Sequence, residues 1–185
     1  VIAWLNGRIL VGEGASQMKY QLKKGKNIWY SFKMELGEDL GAKYYDSELR
    51  EVDPFRIKNP VDAARVFFAY LKFLILRYCT ENNISTDILY AVSIPASFEA
   101  NQRKDLLDAL MANDMKVSKQ ALIDEPNAAF ISYAVSRATE DRPMFINPDY
   151  NSKVLVFDFG GGTCDISILE IGPVSYTHLR AHETK

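Results

Sequence analysis

Residues 154–171 read VLVFDFGGGTCDISILEI, two runs of strand-forming residues on either side of Gly160, Gly161 and Gly162. VLVFDF and TCDISILEI carry the β-branched and aromatic residues that suit a pleated strand, and the three glycines between them tolerate the backbone angles of a tight turn. With no side chains in the way, successive backbone N–H groups can converge on one concavity and hold anionic oxygens there. Asp158 stands at the strand end beside that turn, where a carboxylate can hold a hydrated magnesium ion through water. Thr163 leads the returning strand. The device suits a phosphate, and its plain alternative is a flexible turn. Neither a Walker A pattern nor G-x-G-x-x-G occurs, which disfavours the two commonest nucleotide folds.

Upstream, strands and helices alternate. DILYAVSIP (87–95) is an apolar strand run ended by Pro95, and a helix follows from about Phe98 to Ala112 with Leu106, Leu107 and Leu110 inward. VSKQALI (117–123) is a second strand, and Pro126 begins another helix through AAFISYAVS. This order predicts an α/β layer with crossover connections. Glu125 sits between strand and helix, where a carboxylate feels the positive end of the helix dipole and can orient or deprotonate a water; it also suits an ordinary helix cap. The stretch 137–152, charged and containing Pro143 and Pro148, reads as a surface linker.

The chain opens with VIAWL and RILVG around Asn6-Gly7, a strong hairpin signal because both turn positions accept positive φ. Residues 12–59 show no clear periodicity; Lys33 lies there, within NIWYSFKMELG. Asn59-Pro60 then supplies a cap and a first-turn proline. Val61, Ala64, Phe68, Leu71, Ile75 and Tyr78 recur at helical spacing, widened by Phe67 and Leu74, and predict a core helix to about Cys79.

Composition sets the outer limits. With 22 basic and 24 acidic residues, a net charge of −2 and no basic run, the chain lacks the electrostatic footprint of a nucleic-acid binder. The most apolar stretch, 66–79, is broken by Lys72 and Arg77, so no membrane span is expected. Cys79 and Cys164 show no metal-ligand or redox spacing, which suits a reducing, cytoplasmic setting. The opening residues have neither an initiating Met nor the features of a signal peptide, and the true N-terminus is expected to lie further upstream.

Three segments become specific together. YAVSIPASFEANQRKDLLDAL (90–110), ALIDEPNAAFISYA (121–134) and VLVFDFGGGTCDISILEI (154–171) resemble three consecutive signatures of the DnaK-type, seventy-kilodalton heat-shock chaperones. The resemblance runs from about Val1 to Gly172, weakly before Asn59 and strongly after Ile88. It implies a partial actin-like (ribonuclease-H-like) α/β ATPase domain of two lobes that binds ATP or ADP with Mg2+ in the cleft between them. Residues 1–152 would form lobe I without its N-terminal strands, and residues 153–173 would begin lobe II.

By the same resemblance Gly160, Gly161, Gly162 and Thr163 match the family's second phosphate loop, and Asp158 matches the acid near the metal and its waters. Glu125 matches the acid that helps position the attacking water, and Lys33, in FKMELG, is similar to the lysine that reaches the transferred phosphate. Pro95 and Arg103 match residues that relay nucleotide state to the substrate-binding domain. Cys164 replaces the usual aromatic, and Asp124 and Asn127 flank the E-P turn where Asn and Thr are commoner.

The implied activity is ATP hydrolysis driving cycles of client-polypeptide binding through a further C-terminal domain. J-domain and nucleotide-exchange cochaperones are implied as partners, and nucleic acid and membrane are not. A nucleotide-sensing module without appreciable turnover is the main alternative, and a filament former or sugar kinase of the same fold is a third. The family's first phosphate loop would lie upstream of Val1 and its adenosine pocket beyond Gly172, so the chain as it stands is expected to be inactive. The closing VSYTHLRAHETK resembles read-through of library adapter DNA, and residues 174–185 are expected to stand outside the fold.

Overall fold

Asn6 and Gly7 both take positive φ, 51° and 77°, the requirement of the two-residue hairpin turn that their sequence predicts. The computed structural model describes residues 1–40, 55–117, 121–139, 151–160, 164–171 and 176–184, the last by its backbone. The chain divides into two units, Val1–Tyr90 with Glu99–Val117, and Ala91–Phe98 with Ser118–Lys185.

In the first unit, β1 (Ile2–Leu5) and β2 (Arg8–Val11) pair antiparallel, with Leu5 opposite Arg8 closing the turn. β3 (Ile28–Trp29) takes the other edge of β1 and makes the order β2-β1-β3. The central strand is covered on both faces. Ile2 packs with Trp29, Ile57, Ala63 and Val66, whereas Ala3 packs with Ala15 of the one-turn helix α1 (Glu13–Ser16) and with Ile28.

Helix α2 (Pro60–Glu81) begins as its cap chemistry dictates: the Asn59 side chain accepts the Asp62 N–H at 2.8 Å, and Pro60 occupies the first turn. Its buried residues are Pro60, Ala63, Ala64, Val66 and Cys79. The expected stripe is therefore displaced: Ala64 is buried, Phe68, Leu71 and Ile75 are half-buried, and Tyr78 is 60% exposed. Ala63 and Val66 carry the contact with Ile2 and Trp29 of the sheet, while Phe67 packs beside it with its ring 6.2 Å from that of Phe32. A helix apolar around much of its circumference leaves the choice of face to its partners.

Helix α3 (Ala100–Met111) buries Leu106, Ala109 and Leu110, with Ala109 in the place expected for Leu107. Its start is reinforced by the Glu99 N–H, which donates to Gln102 Oε1 at 2.9 Å. It packs on α2. Past its end, Asn113 ties the two helices: its Nδ2 donates to Arg65 O at 2.9 Å, and Lys72 Nζ donates to Asn113 O at 2.5 Å.

The second unit contains the predicted crossover pair. β4 (Val92–Ile94) and β5 (Leu122–Asp124) are parallel, with Val92 opposite Leu122 and Ile94 opposite Asp124. Both strands are shorter than their apolar runs, and residues 118–120 of VSKQALI lie outside the described residues. Helix α4 (Glu125–Thr139) follows β5 without an intervening loop. β6 (Ser152–Phe159) and β7 (Cys164–Ile171) form an antiparallel ladder.

β8 (Tyr176–Thr184) adds to the other edge of β7, with a register shift between Ile168 and Leu169. Its backbone is paired in the sheet, whereas the likeness of residues 174–185 to adapter read-through predicts a segment outside the fold. Ladder hydrogen bonds use main-chain groups, so an open strand edge accepts a partner without apolar alternation. Among the described residues no helix is long and apolar enough to cross a membrane.

Candidate metal and phosphate site

The chemistry of the second unit gathers where α4 meets the β6–β7 ladder. Glu125 is the first residue of α4, held there because β5 ends at Asp124 and the Pro126 ring favours helical φ from the next position. Asp158 lies one residue before the end of β6, and Asp165 stands directly opposite it on β7. α4 packs against both strands. One carboxylate oxygen from each of Glu125, Asp158 and Asp165 lies within 4.8 Å of the others, with Asp158 exposed and the other two half-buried.

Three carboxylates at that separation repel one another, and the repulsion is relieved by a cation among them. All-oxygen donors suit a hard divalent ion such as Mg2+, which keeps part of its water shell and takes one or two carboxylates. The donor set therefore fits a hydrated magnesium.

Two residues singled out in the sequence, Glu125 and Asp158, are thus brought together. The third, Asp165, is a residue that motif reading passed over. Its signal is the ladder itself: with Phe159 opposite Cys164, the next pair is Asp158 and Asp165. Gly160 follows β6 and is exposed, whereas Gly161, Gly162 and Thr163 lie outside the described residues.

Pro95 is buried immediately after β4, and its carbonyl accepts the Phe98 N–H at 3.1 Å. Lys33 and Arg103 belong to the first unit. Lys33 is exposed on a 3₁₀ turn, Phe32–Glu35, and Arg103 is half-buried in the first turns of α3.

Comparison with known proteins decides the lineage. A family model described as Hsp70 protein matches residues 1–177. The chain belongs to the Hsp70 family. The heat shock cognate HSP70 protein of Trypanosoma brucei brucei is 28% identical over 192 residues, covering 92% of this chain and 26% of that protein. The chaperone protein DnaK of Nitrosopumilus maritimus (strain SCM1) is 29% identical, covering 90% and 22%, and the DnaK of Mycoplasma mobile 30% identical, covering 92% and 24%. This Hsp70 chain therefore spans about a quarter of the length of the curated relatives it matches. Its mixed α/β architecture is consistent with part of an Hsp70 nucleotide-binding domain.

Proposed function

We propose that this chain is part of the ATP-binding and ATP-hydrolysing domain of a heat-shock-type molecular chaperone. The observation that carries the reading is the convergence of Glu125, Asp158 and Asp165, the second of them two residues before the Gly160–Thr163 sequence, in a member of the Hsp70 family. In this reading residues 1–152 contribute to lobe I of an actin-like domain, and residues 153–173 begin lobe II. Client polypeptides engage the remainder of the full-length protein, and J-domain and nucleotide-exchange cochaperones time the cycle.

The roles proposed rest on the chemistry of the residues and, for Lys33, Pro95 and Arg103, on the family resemblance. Backbone N–H groups of the glycine-rich segment 160–163 would hold phosphate oxygens, and Asp158 and Asp165 would hold the waters of a magnesium ion bound with the nucleotide. Bound there, that ion would supply charge neutralisation on the phosphate oxygens. Glu125 accepts a hydrogen bond from the attacking water and orients it toward the γ-phosphate. Lys33 offers a cation to the transferred phosphate, and Pro95 and Arg103 carry the state of the site to the rest of the protein.

Glu125→Gln in the full-length protein tests the reading, because the amide keeps size and one acceptor but loses basicity. Single-turnover hydrolysis should fall by about 10² to 10⁴ while ATP affinity changes little. Unchanged hydrolysis would remove Glu125 from the chemistry, and binding with no turnover in the parent protein would establish a nucleotide sensor instead.

A further inference from the structure

Gly37 is gripped by both of its backbone groups. Its N–H donates to Asp105 Oδ2 at 2.8 Å, and its carbonyl accepts from Asn101 Nδ2 at 3.0 Å. Asn101 and Asp105 are four residues apart and so lie on one face of α3. Gly37 has φ +78°, and a Cβ there would stand 2.7 Å from Asn101 Nδ2 and 2.8 Å from Gln102 Cγ. Only glycine combines that backbone angle with so close an approach.

The grip ends a short segment already pinned elsewhere. Phe32 leans on Phe67 of α2, Leu36 is 2% exposed, and half-sheltered Lys24 donates to the buried Glu35 carboxylate at 2.6 Å. Between these anchors the 3₁₀ turn presents Lys33 outward, four residues before Gly37. Arg103 lies between the two gripping residues on α3. Both bonds thus tie Gly37, at the end of the Lys33 segment, to α3.

We infer that Asn101 and Asp105 are positioning residues, a two-point latch through which α3 sets the placement of Lys33 at the nucleotide. The inference rests on the reading of Lys33 as a phosphate-contacting lysine. Asp105 supplies a charged acceptor to a backbone N–H, the stronger half of the latch, and Asn101 supplies the weaker, exposed half.

The test uses the full-length protein with four variants: Asp105→Ala, Asp105→Asn, Lys33→Ala and the Asp105→Ala/Lys33→Ala double. Single-turnover hydrolysis, nucleotide dissociation rate and melting temperature are measured for each. Asp105→Ala should change hydrolysis or dissociation by about tenfold, the scale of one hydrogen bond to a charged group. Asp105→Asn, which keeps an oxygen acceptor, should restore most of it. In the Lys33→Ala background the Asp105→Ala change should add nothing further, because the latch acts through that lysine.

A lower melting temperature with unchanged nucleotide kinetics would overturn the proposal and leave a purely structural contact. Additive kinetic effects would overturn it as well, by showing that Asp105 acts elsewhere. A silent Lys33→Ala would overturn both the latch and the role of Lys33, while Glu125→Gln still decides the ATPase reading independently. Should Asp105→Ala fail to fold, Asn101→Ala removes the exposed bond alone, and the same comparison is made at an effect of about threefold.

Discussion

Asp158 and Asp165 face each other across the β6–β7 ladder, and Glu125 from the head of α4 brings a third carboxylate within 4.8 Å of both. Like charges directly opposite on neighbouring strands destabilise by roughly 0.2–1 kcal/mol. Asp165→Asn should therefore raise the melting temperature of the chain slightly in chelator. The same variant should weaken the stabilisation that millimolar magnesium confers on the parent. Melting curves with and without magnesium check both halves, and a loss of stability in chelator would show that Asp165 holds structure.

The Asn59 cap predicts a local and separable effect. Asn59→Ala leaves the Asp62 N–H without its acceptor and should cost about 1 kcal/mol, whereas Asn59→Asp should be nearly neutral. Denaturant titration of the three proteins measures the difference, and equal losses for both variants would exclude the cap as the cause.

Trp29 is fully buried, yet its Nε1 has no acceptor among the described residues. Trp29→Phe gives up ring area and also removes an unsatisfied donor whose burial costs roughly 1–3 kcal/mol. The loss should stay below about 1.5 kcal/mol, against the 3–5 kcal/mol expected for Trp29→Ala. A phenylalanine variant as unstable as the alanine one would mean that Nε1 does find a partner.

Leu155, Phe157 and Phe159 alternate along β6 with exposures of 53%, 54% and 78%, and two of their rings stack with centroids 6.2 Å apart. Among the named strands β6 lies at the edge of its sheet. An open edge with an apolar face favours association between chains. Leu155→Lys should reduce light scattering at high protein concentration while shifting stability by no more than about 0.5 kcal/mol. Undiminished scattering would place the sticky surface elsewhere.

Features decided by a few adjacent residues were legible in the sequence. Asn6-Gly7 dictates its turn and Asn59-Pro60 its helix start, because the required angles and donors are local. The parallel pairing of β4 and β5 followed from alternating strand and helix patterns. Features decided by partners were not. The two-residue β3 is a strand because Ile28 and Trp29 fit beside β1, and the buried face of α2 is set by the packing of Ala63 and Val66 on Ile2 and Trp29. Asp165 carries no motif of its own; only the pairing of Phe159 with Cys164 sets it against Asp158. Lys33 lies in a turn with no periodic signal, and its neighbours became visible only through the contact of Gly37 with α3.

The register that sets Asp158 against Asp165 also sets Cys164 against Phe159, immediately beside the acidic cluster. Cys164 is half-buried, whereas Cys79, the other thiol, is 6% exposed in α2, and neither is in a disulfide. Thiol reactivity follows access, so a maleimide dye at limiting concentration will label Cys164 well ahead of Cys79. The protein thus brings its own attachment point for a fluorescent reporter, one residue from the carboxylates, and cation or nucleotide binding can be followed there without engineering a cysteine.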